Sequence, residues 1–544
     1  MNITHAQALG EQPVDAARLP GINIATPSIS TIARSIINNI PKDKLFRRKD
    51  SYVTITVSQT SDGTRRVETR PMTANRLCSW LEDYVCFQSG SGDKIKKIML
   101  GKPLAEKILA SDILYERCPV LGELLPVRLP VWTKNRDGRR SVTLAKPGYD
   151  PASRAYTVET IDYLTGTPER YTPREIRQIW AKLTYEFPWR AEAEIENRAC
   201  WKLGPDTIVG IDPTQNRSAC CTLALMLGQY CRLLISGMQP MGIFNANQAG
   251  SGKTLLAWLA ITPVWGRPPA SPTPKNEEEL QKSLNAALIA CKPYLLLDDI
   301  PSLANNTINM IATAPEISSR NLGSYESFFV ENRMQILATG NGLSTTPDVE
   351  RRSLIVDLFL EEEALGRKFS SPLRKEDLPH LGVRSDLLRF LWAMVQNWIA
   401  EGCPMTTDES AKASYESYAA VIGSIMKCNG FGNPFRARQT DGTGGDIIGR
   451  TLNAFLARVV GDVMYEAGET THTYNLDDLL ALVDKYGYRE QLCTSADPKK
   501  SLGKKLVNLR GRKLKDTRGR TYIFGRGESA GCSHYTFVVE PDTK

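Results

Sequence analysis

The chain has 544 residues, 42% of them hydrophobic and 24% charged, with a formal net charge of +8. That length exceeds what one hydrophobic core can organise and that composition excludes an overall disordered chain, so two to four globular domains are expected. Twelve Cys without a C-x-x-C pair and only four His exclude a zinc ribbon and a disulfide framework, leaving reduced and mostly buried thiols.

Residues 1–33 read as a loose leader. Their opening, "MNITHAQALGEQPVDAARLPG", lacks the basic region and apolar run of a secretory signal, so a cytoplasmic protein is expected. Residues 34–172 read as an N-terminal α+β domain. Within it "YVTITVSQTSDGTRRVETR" alternates like a hairpin about Asp62-Gly63, and "ANRLCSWLEDYVCF" has helical periodicity. "QSGSGD" breaks the chain before another helix, and "LPVWTKNRDGRRSVTLAKPGYDPASRAYTVET" is rich in turns and short strands. From Pro173 to Met238 helical periodicity returns. The most apolar stretch, Cys220 to Met238, is interrupted by Gln229 and Arg232, which predicts a buried helix and no membrane span.

Residues 240–360 alternate short apolar runs with amphipathic stretches, the pattern of a parallel α/β sheet. Residues 375–432 read as helical, with Trp392 and Trp398 on one amphipathic run, and 433–446 as a linker. Residues 447–544 read as two or three helices followed by a β-ribbon, "TYIFG" and "HYTFVV". Helices followed by a two-stranded wing predict a winged helix, a fold that lays one helix in a DNA groove.

The sheet region carries the chemistry. "MGIFNANQAGSGKTLLAWLAI" places Asn247, Gln248, Ala249, Gly250, Ser251, Gly252, Lys253 and Thr254 between a short apolar strand and a helix. That is the setting of a phosphate-binding loop, whose inward N–H groups and helix N-terminus hold phosphates. Lys253 is expected to reach the β- and γ-phosphates of ATP, and Thr254 to ligate Mg²⁺. The first position of the motif, normally glycine, is Asn247; it is expected to take the left-handed backbone angles that Asn tolerates. "PYLLLDDI" then sets Asp298 and Asp299 straight after an apolar run, Asp298 on the metal side and Asp299 as the base that polarises water. "RMQILATGN" ends in Asn341, placed to orient the lytic water. "PDVERRSLIVDLFL" puts Arg351 and Arg352 before a fourth strand, where an oligomeric ATPase reaches the γ-phosphate of its neighbour.

The run "NQAGSGKT", "YLLLDDI", "SSRNLG", "LATGNG" and "DVERRSLIVDL", with "AKPGYDPASRAY" and "YEFPWRAEAE" upstream, resembles the AAA+ replicative helicases of phages, plasmids and integrated mobile elements. These are MCM-related helicases, often associated with primases. The resemblance covers roughly residues 110–430. It implies a multidomain α/β chain: an AAA+ P-loop ATPase core over 173–374 with its preceding helices, and a helical lid over 375–432. It also implies a ring, expected to be hexameric, with ATP and Mg²⁺ held between subunits. Carried over, Lys253 and Thr254 are the Walker A pair, Asp298 and Asp299 the Walker B pair, Asn341 sensor 1, Arg351 or Arg352 the arginine finger, and Arg384 sensor 2. The chain departs from the pattern at Asn247, at the Asp-Asp end of the second motif, and at "TGNG". The N-terminal part shows no primase metal cluster, so a separate primase or initiator is the expected partner.

Between Lys499 and Arg526 stand eleven Lys and Arg against one Asp, a surplus larger than that of the whole chain. Lys500, Lys504, Lys505, Arg510, Arg512, Lys513, Arg518 and Arg520 are therefore the expected DNA contacts, to single-stranded or forked DNA. Lys275, Lys282 and Arg320 are candidates for loops that grip a strand in a central channel. The function these features predict is an ATP-dependent DNA helicase for replication of a mobile element. The alternatives are an ATP-dependent initiator or assembly switch without unwinding, and an AAA+ remodeller in phage defence.

Overall fold

The computed structural model describes residues 19–25, 28–49, 51–59, 65–91, 94–165, 171–190, 201–203, 206–208, 211–269, 274, 276–304, 306–320, 327–343, 345–360, 373–405, 415–436, 447–464, 468, 470–493, 497–507, 513–515, 520–529 and 532–539. It is a mixed α/β chain with several hydrophobic cores. Among the described residues no helix is long and apolar enough to cross a membrane.

In the N-terminal part the hairpin expected about Asp62-Gly63 forms: Ser51–Gln59 pairs antiparallel with Arg65–Pro71, and its tip lies outside the described residues. Two expectations are corrected here. Gly21–Asn23 is a strand and Ile29–Asn39 a helix, so regular structure begins inside the stretch read as a leader. The helix expected over "ANRLCSWLEDYVCF" ends at Leu81, and Cys86–Ser89 is a strand paired in parallel with Gly21–Asn23. Leu77, Leu81 and Val85 are all buried, so a four-residue apolar spacing runs past the helix end and imitates another turn. Farther on, Pro130–Lys134 (β1) and Arg140–Leu144 (β2) form an antiparallel hairpin.

Helix α1, Pro173–Thr184, opens with a capping box between Thr172 and Glu175 and proline in its first turn, the strongest local start signal a helix has. The helical region does not run unbroken to Met238, because Trp201–Leu203 and Asp206–Ile208 pair as a small hairpin. Helix α2, Arg217–Tyr230, is capped by Asn216, and every one of its residues is buried. It is the central helix of the largest core, as the apolar stretch predicted.

Strand β3 (Met241–Ala246) and helix α3 (Lys253–Trp265) follow, then helix α4 (Glu277–Ile289) and strand β4 (Tyr294–Leu297). An antiparallel hairpin, β5 (Glu316–Arg320) with β6 (Ser327–Glu331), precedes β7 (Gln335–Asn341); helix α5 (Pro347–Arg351) leads to β8 (Ser353–Leu358). The four strands make a parallel sheet in the order β4-β7-β3-β8. Its apolar residues divide with the period of two that a strand imposes. Ile243, Ile336, Ala338 and Ile355 enter one core, and Phe244, Leu337, Leu354 and Val356 the core on the other face. A sheet covered on both faces needs the near-continuous apolar runs that these strands show.

Helices α6 (Leu381–Ala400) and α7 (Glu416–Cys428) pack on the same core as α2, with Trp398 fully buried and Trp392 against the cluster. The C-terminal part has its own core. It comprises α8 (Ile447–Arg458), β9 (Thr471–Asn475), α9 (Leu476–Lys485), α10 (Pro498–Val507), β10 (Lys513–Lys515), β11 (Thr521–Ser529) and β12 (Cys532–Val539). The expected ribbon is β11 with β12, and it sits inside a four-stranded antiparallel sheet ordered β9-β12-β11-β10.

Candidate active site

Loop 247–252 lies at the carboxyl end of β3, the end of an open parallel sheet where ligands bind. Gly250 and Gly252 take left-handed backbone angles, φ +75° and +94°, which only glycine adopts without strain. Gly252 has a second constraint: a Cβ there would come within 2.8 Å of Phe187 Cε1. Phe187 belongs to "YEFPWR", which lies along the outer edge of β8, with the Arg190 N–H donating to Asp357 O and Phe359 N–H to Pro188 O.

Asn247 corrects an expectation. It is not among the residues with positive φ. Instead its side chain works as a latch: Nδ2 donates to Leu360 O at 2.7 Å, and Oδ1 accepts from Leu360 N at 2.9 Å. Gln248 Nε2 adds a bond to the same carbonyl at 3.2 Å. The loop is thus tied to the chain leaving β8 by a side chain that glycine lacks.

Helix α3 starts from Gly252 without a side-chain cap, so no side chain at that cap satisfies its first N–H groups. Beside them the Ser251 hydroxyl is buried without a hydrogen-bond partner, and Lys253 is only 8% exposed. Uncapped amides, a buried donor and an ammonium together fit an anion of the phosphate class.

The acidic residues arrive from β4. Asp298 Oδ1 accepts from Thr254 Oγ1 at 2.9 Å and from Thr339 Oγ1 at 2.6 Å. Thr339 is fully buried on β7 and also accepts from the Asp299 N–H at 2.9 Å. This threonine, which the sequence motifs do not mark, fixes both aspartates; its only sequence signal is a hydroxyl in β7 two residues before Asn341. Asp299 sits at φ +53°, a conformation costing about 1–3 kcal/mol outside glycine. Its exposed carboxylate lies 3.6 Å from Lys253 Nζ. Asn341 ends β7 in register with Ala246 and is exposed. Lys253, Thr254, Asp298, Asp299 and Asn341 therefore meet at one end of one sheet, and the Thr254 hydroxyl and Asp298 carboxylate are adjacent oxygen donors of the kind a hard cation such as Mg²⁺ takes.

Arg351 and Arg352 stand elsewhere. The Arg352 carbonyl accepts from Met241 N at 3.1 Å, at the start of β3, about 17 Å along the strand from the loop by strand rise. Arg352 is largely buried and bonds Asp348, while Arg351 is exposed and pairs with Asp348 at 3.1 Å. The two guanidiniums hold the Asp348 carboxyl below the usual range.

Arg384, expected near the nucleotide, is not there. It is 1% exposed, and its guanidinium donates to Pro263 O and to Val264 O, the latter at 3.1 Å. It closes the C-terminal end of α3, about 15 Å along the axis from Lys253, where a cation satisfies carbonyls left open by the helix. Burial lowers its pKa to about 10.

Of the expected DNA contacts, Lys500 is exposed on α10, while Lys505 turns inward and donates to Leu492 O at 2.7 Å. Lys513 starts β10 and Arg520 is half-buried before β11. Arg510, Arg512 and Arg518 lie outside the described residues, as does the side chain of Lys504. Lys275 also lies outside them; Lys282 pairs with Glu278 at 2.6 Å on α4, and Arg320 ends β5. Among the described residues no group of three or more His, Cys, Asp or Glu is arranged to hold a metal.

No protein-family model matches the chain, and no curated protein matches it. Among solved structures, the apo C-terminal region (305–718) of NrS-1 aligns over 89% of this chain and 96% of that one, with 10% identity and a TM-score of 0.33. A likeness at that score transfers neither fold nor function.

Proposed function

We propose that the chain is an AAA+ ATP-dependent DNA helicase that works as a ring, hydrolysing ATP at its subunit interfaces. The observation that carries this reading is the convergence of Lys253, Thr254, Asp298 and Asp299, braced by Thr339, at the carboxyl end of one parallel sheet. Lys253 binds the terminal phosphates, and drawing its ammonium onto them frees Asp299 to accept a hydrogen bond from the attacking water. Thr254 and Asp298 would hold Mg²⁺, which would supply charge neutralisation for the phosphates. Asn341 orients the water.

The distance from the loop to Arg351 supports catalysis between subunits. An arginine at the amino end of the strands, opposite the end that carries the loop, does not serve its own loop, and its exposure suits a neighbour's γ-phosphate; Arg352, buried against Asp348, suits a supporting role. Hairpin β5–β6, inserted before the sensor strand β7, is the segment proposed to grip the DNA strand. The C-terminal part, with α10 followed by the β11–β12 ribbon, is read as the winged helix that positions DNA.

The test is ATP-driven strand displacement on a forked duplex. Displacement by the wild-type chain, lost in Lys253→Ala, supports the helicase. ATP turnover without displacement would instead support an assembly switch, and absence of turnover would reject the ATPase reading altogether.

A further inference from the structure

We propose that hairpin β1–β2 is a nucleic-acid backbone contact, separate from both the C-terminal basic block and hairpin β5–β6. Its tip is a closed, hydrogen-bonded turn. Asn135 N donates to Arg139 O at 2.9 Å and Gly138 N to Asn135 O at 3.0 Å. The Asn135 side-chain oxygen accepts from Asp137 N at 3.1 Å and from Arg139 N at 2.8 Å, and Gly138 supplies the left-handed turn at φ +75°. The tip's amides are thus largely engaged internally, and side chains are what it presents.

Those side chains are Lys134, Arg136, Arg139 and Arg140 against Asp137, all exposed. Among the described residues none of the four cations has an ion pair. Some surface cations elsewhere do, Arg66, Lys102, Lys282, Arg389, Arg458 and Lys499 each facing a carboxylate, while single exposed lysines such as Lys42 and Lys107 do not; the four here stand together on one closed turn. Four like charges gathered on and beside one closed turn repel one another, and a polyanion relieves that repulsion.

The root of the hairpin decides what kind of contact it makes. Trp132 Nε1 donates to Leu234 O at 3.0 Å, its ring meets Trp398 edge-on at 5.7 Å, and the Arg140 guanidinium covers it at 3.4 Å. The ring is therefore engaged within the protein and offers no platform for stacking a base. What remains is charge, so the hairpin reads phosphates without regard to sequence.

Its location argues for nucleic acid over an acidic protein, and this step rests on the proposed function. Arg333, at the root of β5–β6, donates to Ile235 O at 3.3 Å. The two hairpins are thus anchored on consecutive carbonyls, Leu234 and Ile235. A strand gripped by β5–β6 lies in the neighbourhood of the segment that carries β1–β2.

The experiment is anisotropy of a fluorescent single-stranded oligonucleotide with the full chain from 50 to 200 mM salt, comparing wild type with Lys134→Ala/Arg136→Ala/Arg139→Ala. Arg140 is left in place because its stack on Trp132 is structural. Loss of three phosphate contacts makes the slope of log K against log salt shallower by about 2, at roughly 0.7 per contact. DNA-independent ATP turnover and the melting temperature stay at wild-type values, and Arg136→Lys/Arg139→Lys keeps the slope. Wild-type affinity and slope in the triple variant would overturn the inference while leaving the helicase reading intact. No DNA binding by the wild-type chain at any salt would overturn both. Displacement of the oligonucleotide by polyglutamate at equal charge would overturn it in favour of an acidic polypeptide.

Discussion

Restoring the missing glycine of the phosphate loop is expected to weaken it. In Asn247→Gly the chain loses the 2.7 Å and 2.9 Å bonds to the Leu360 backbone, each contributing about 1 kcal/mol net. Gln248 still reaches Leu360 O at 3.2 Å, so only the Leu360 N–H loses its partner entirely. Glycine adds about 0.5–1 kcal/mol of backbone freedom to be lost when the loop orders. With the bond to Leu360 O largely offset by Gln248, these come to about 1.5–2 kcal/mol, or about 10- to 30-fold weaker nucleotide binding at 1.4 kcal/mol per tenfold. Titration of wild-type and Asn247→Gly chains with a fluorescent non-hydrolysable ATP analogue measures it. Asn247→Asp keeps the acceptor for Leu360 N but sets a carboxylate against Leu360 O and beside the anion site, so it is expected to bind nucleotide no better than Asn247→Gly. Equal or tighter binding by Asn247→Gly would refute the latch.

Thr339→Val removes the hydroxyl that holds Asp298 and strands the Asp299 N–H. It is expected to cost about 2–3 kcal/mol of local stability and at least tenfold in ATP turnover; a steady-state assay at the wild-type rate would contradict it. Glu123→Gln tests a buried cluster at the root of β5–β6, where Glu123 meets Arg232 Nε at 2.6 Å and Arg333 at 3.1 Å. Burial opposes ionisation there, but the two arginines outweigh it and the carboxyl titrates below its ordinary value. A lowered folded-state pKa stabilises above the unfolded value and is lost as pH falls through the folded one. The variant is therefore expected to lose about 3 kcal/mol at pH 7, and the deficit relative to wild type to shrink only below about pH 4.5. Denaturant midpoints at pH 7 and pH 4 check this.

The parallel sheet and the loop it carries were legible because their residues obey short-range rules. Continuous apolar runs in "MGIFNA" and "SLIVDL" mark strands covered on both faces, and aspartates straight after "YLLL" had to emerge at a strand end. What escaped depends on contacts distant in sequence. Asn247 reaches Leu360, 113 residues away, and Thr339 reaches Asp298 beyond the end of the neighbouring strand, 41 residues away, neither of which periodicity encodes. Arg384 misled for the same reason: an arginine in an amphipathic helix looks solvated, yet it closes a helix 120 residues earlier. The lysines of α10 were legible only as a charge surplus, and Lys505 shows that individual members of such a block can face inward.

The central claim is that ATP is hydrolysed by Lys253 of one subunit with Arg351 of the next. Lys253→Ala and Arg351→Ala chains, each assembled alone, are expected to lose DNA-stimulated turnover. Mixed in equal amounts, they re-create interfaces with both residues intact at roughly a quarter of positions in a random ring. Turnover in the mixture clearly above the sum of the separate variants is the predicted result. Turnover that never exceeds that sum, or near-wild-type turnover in Arg351→Ala alone, would contradict the account.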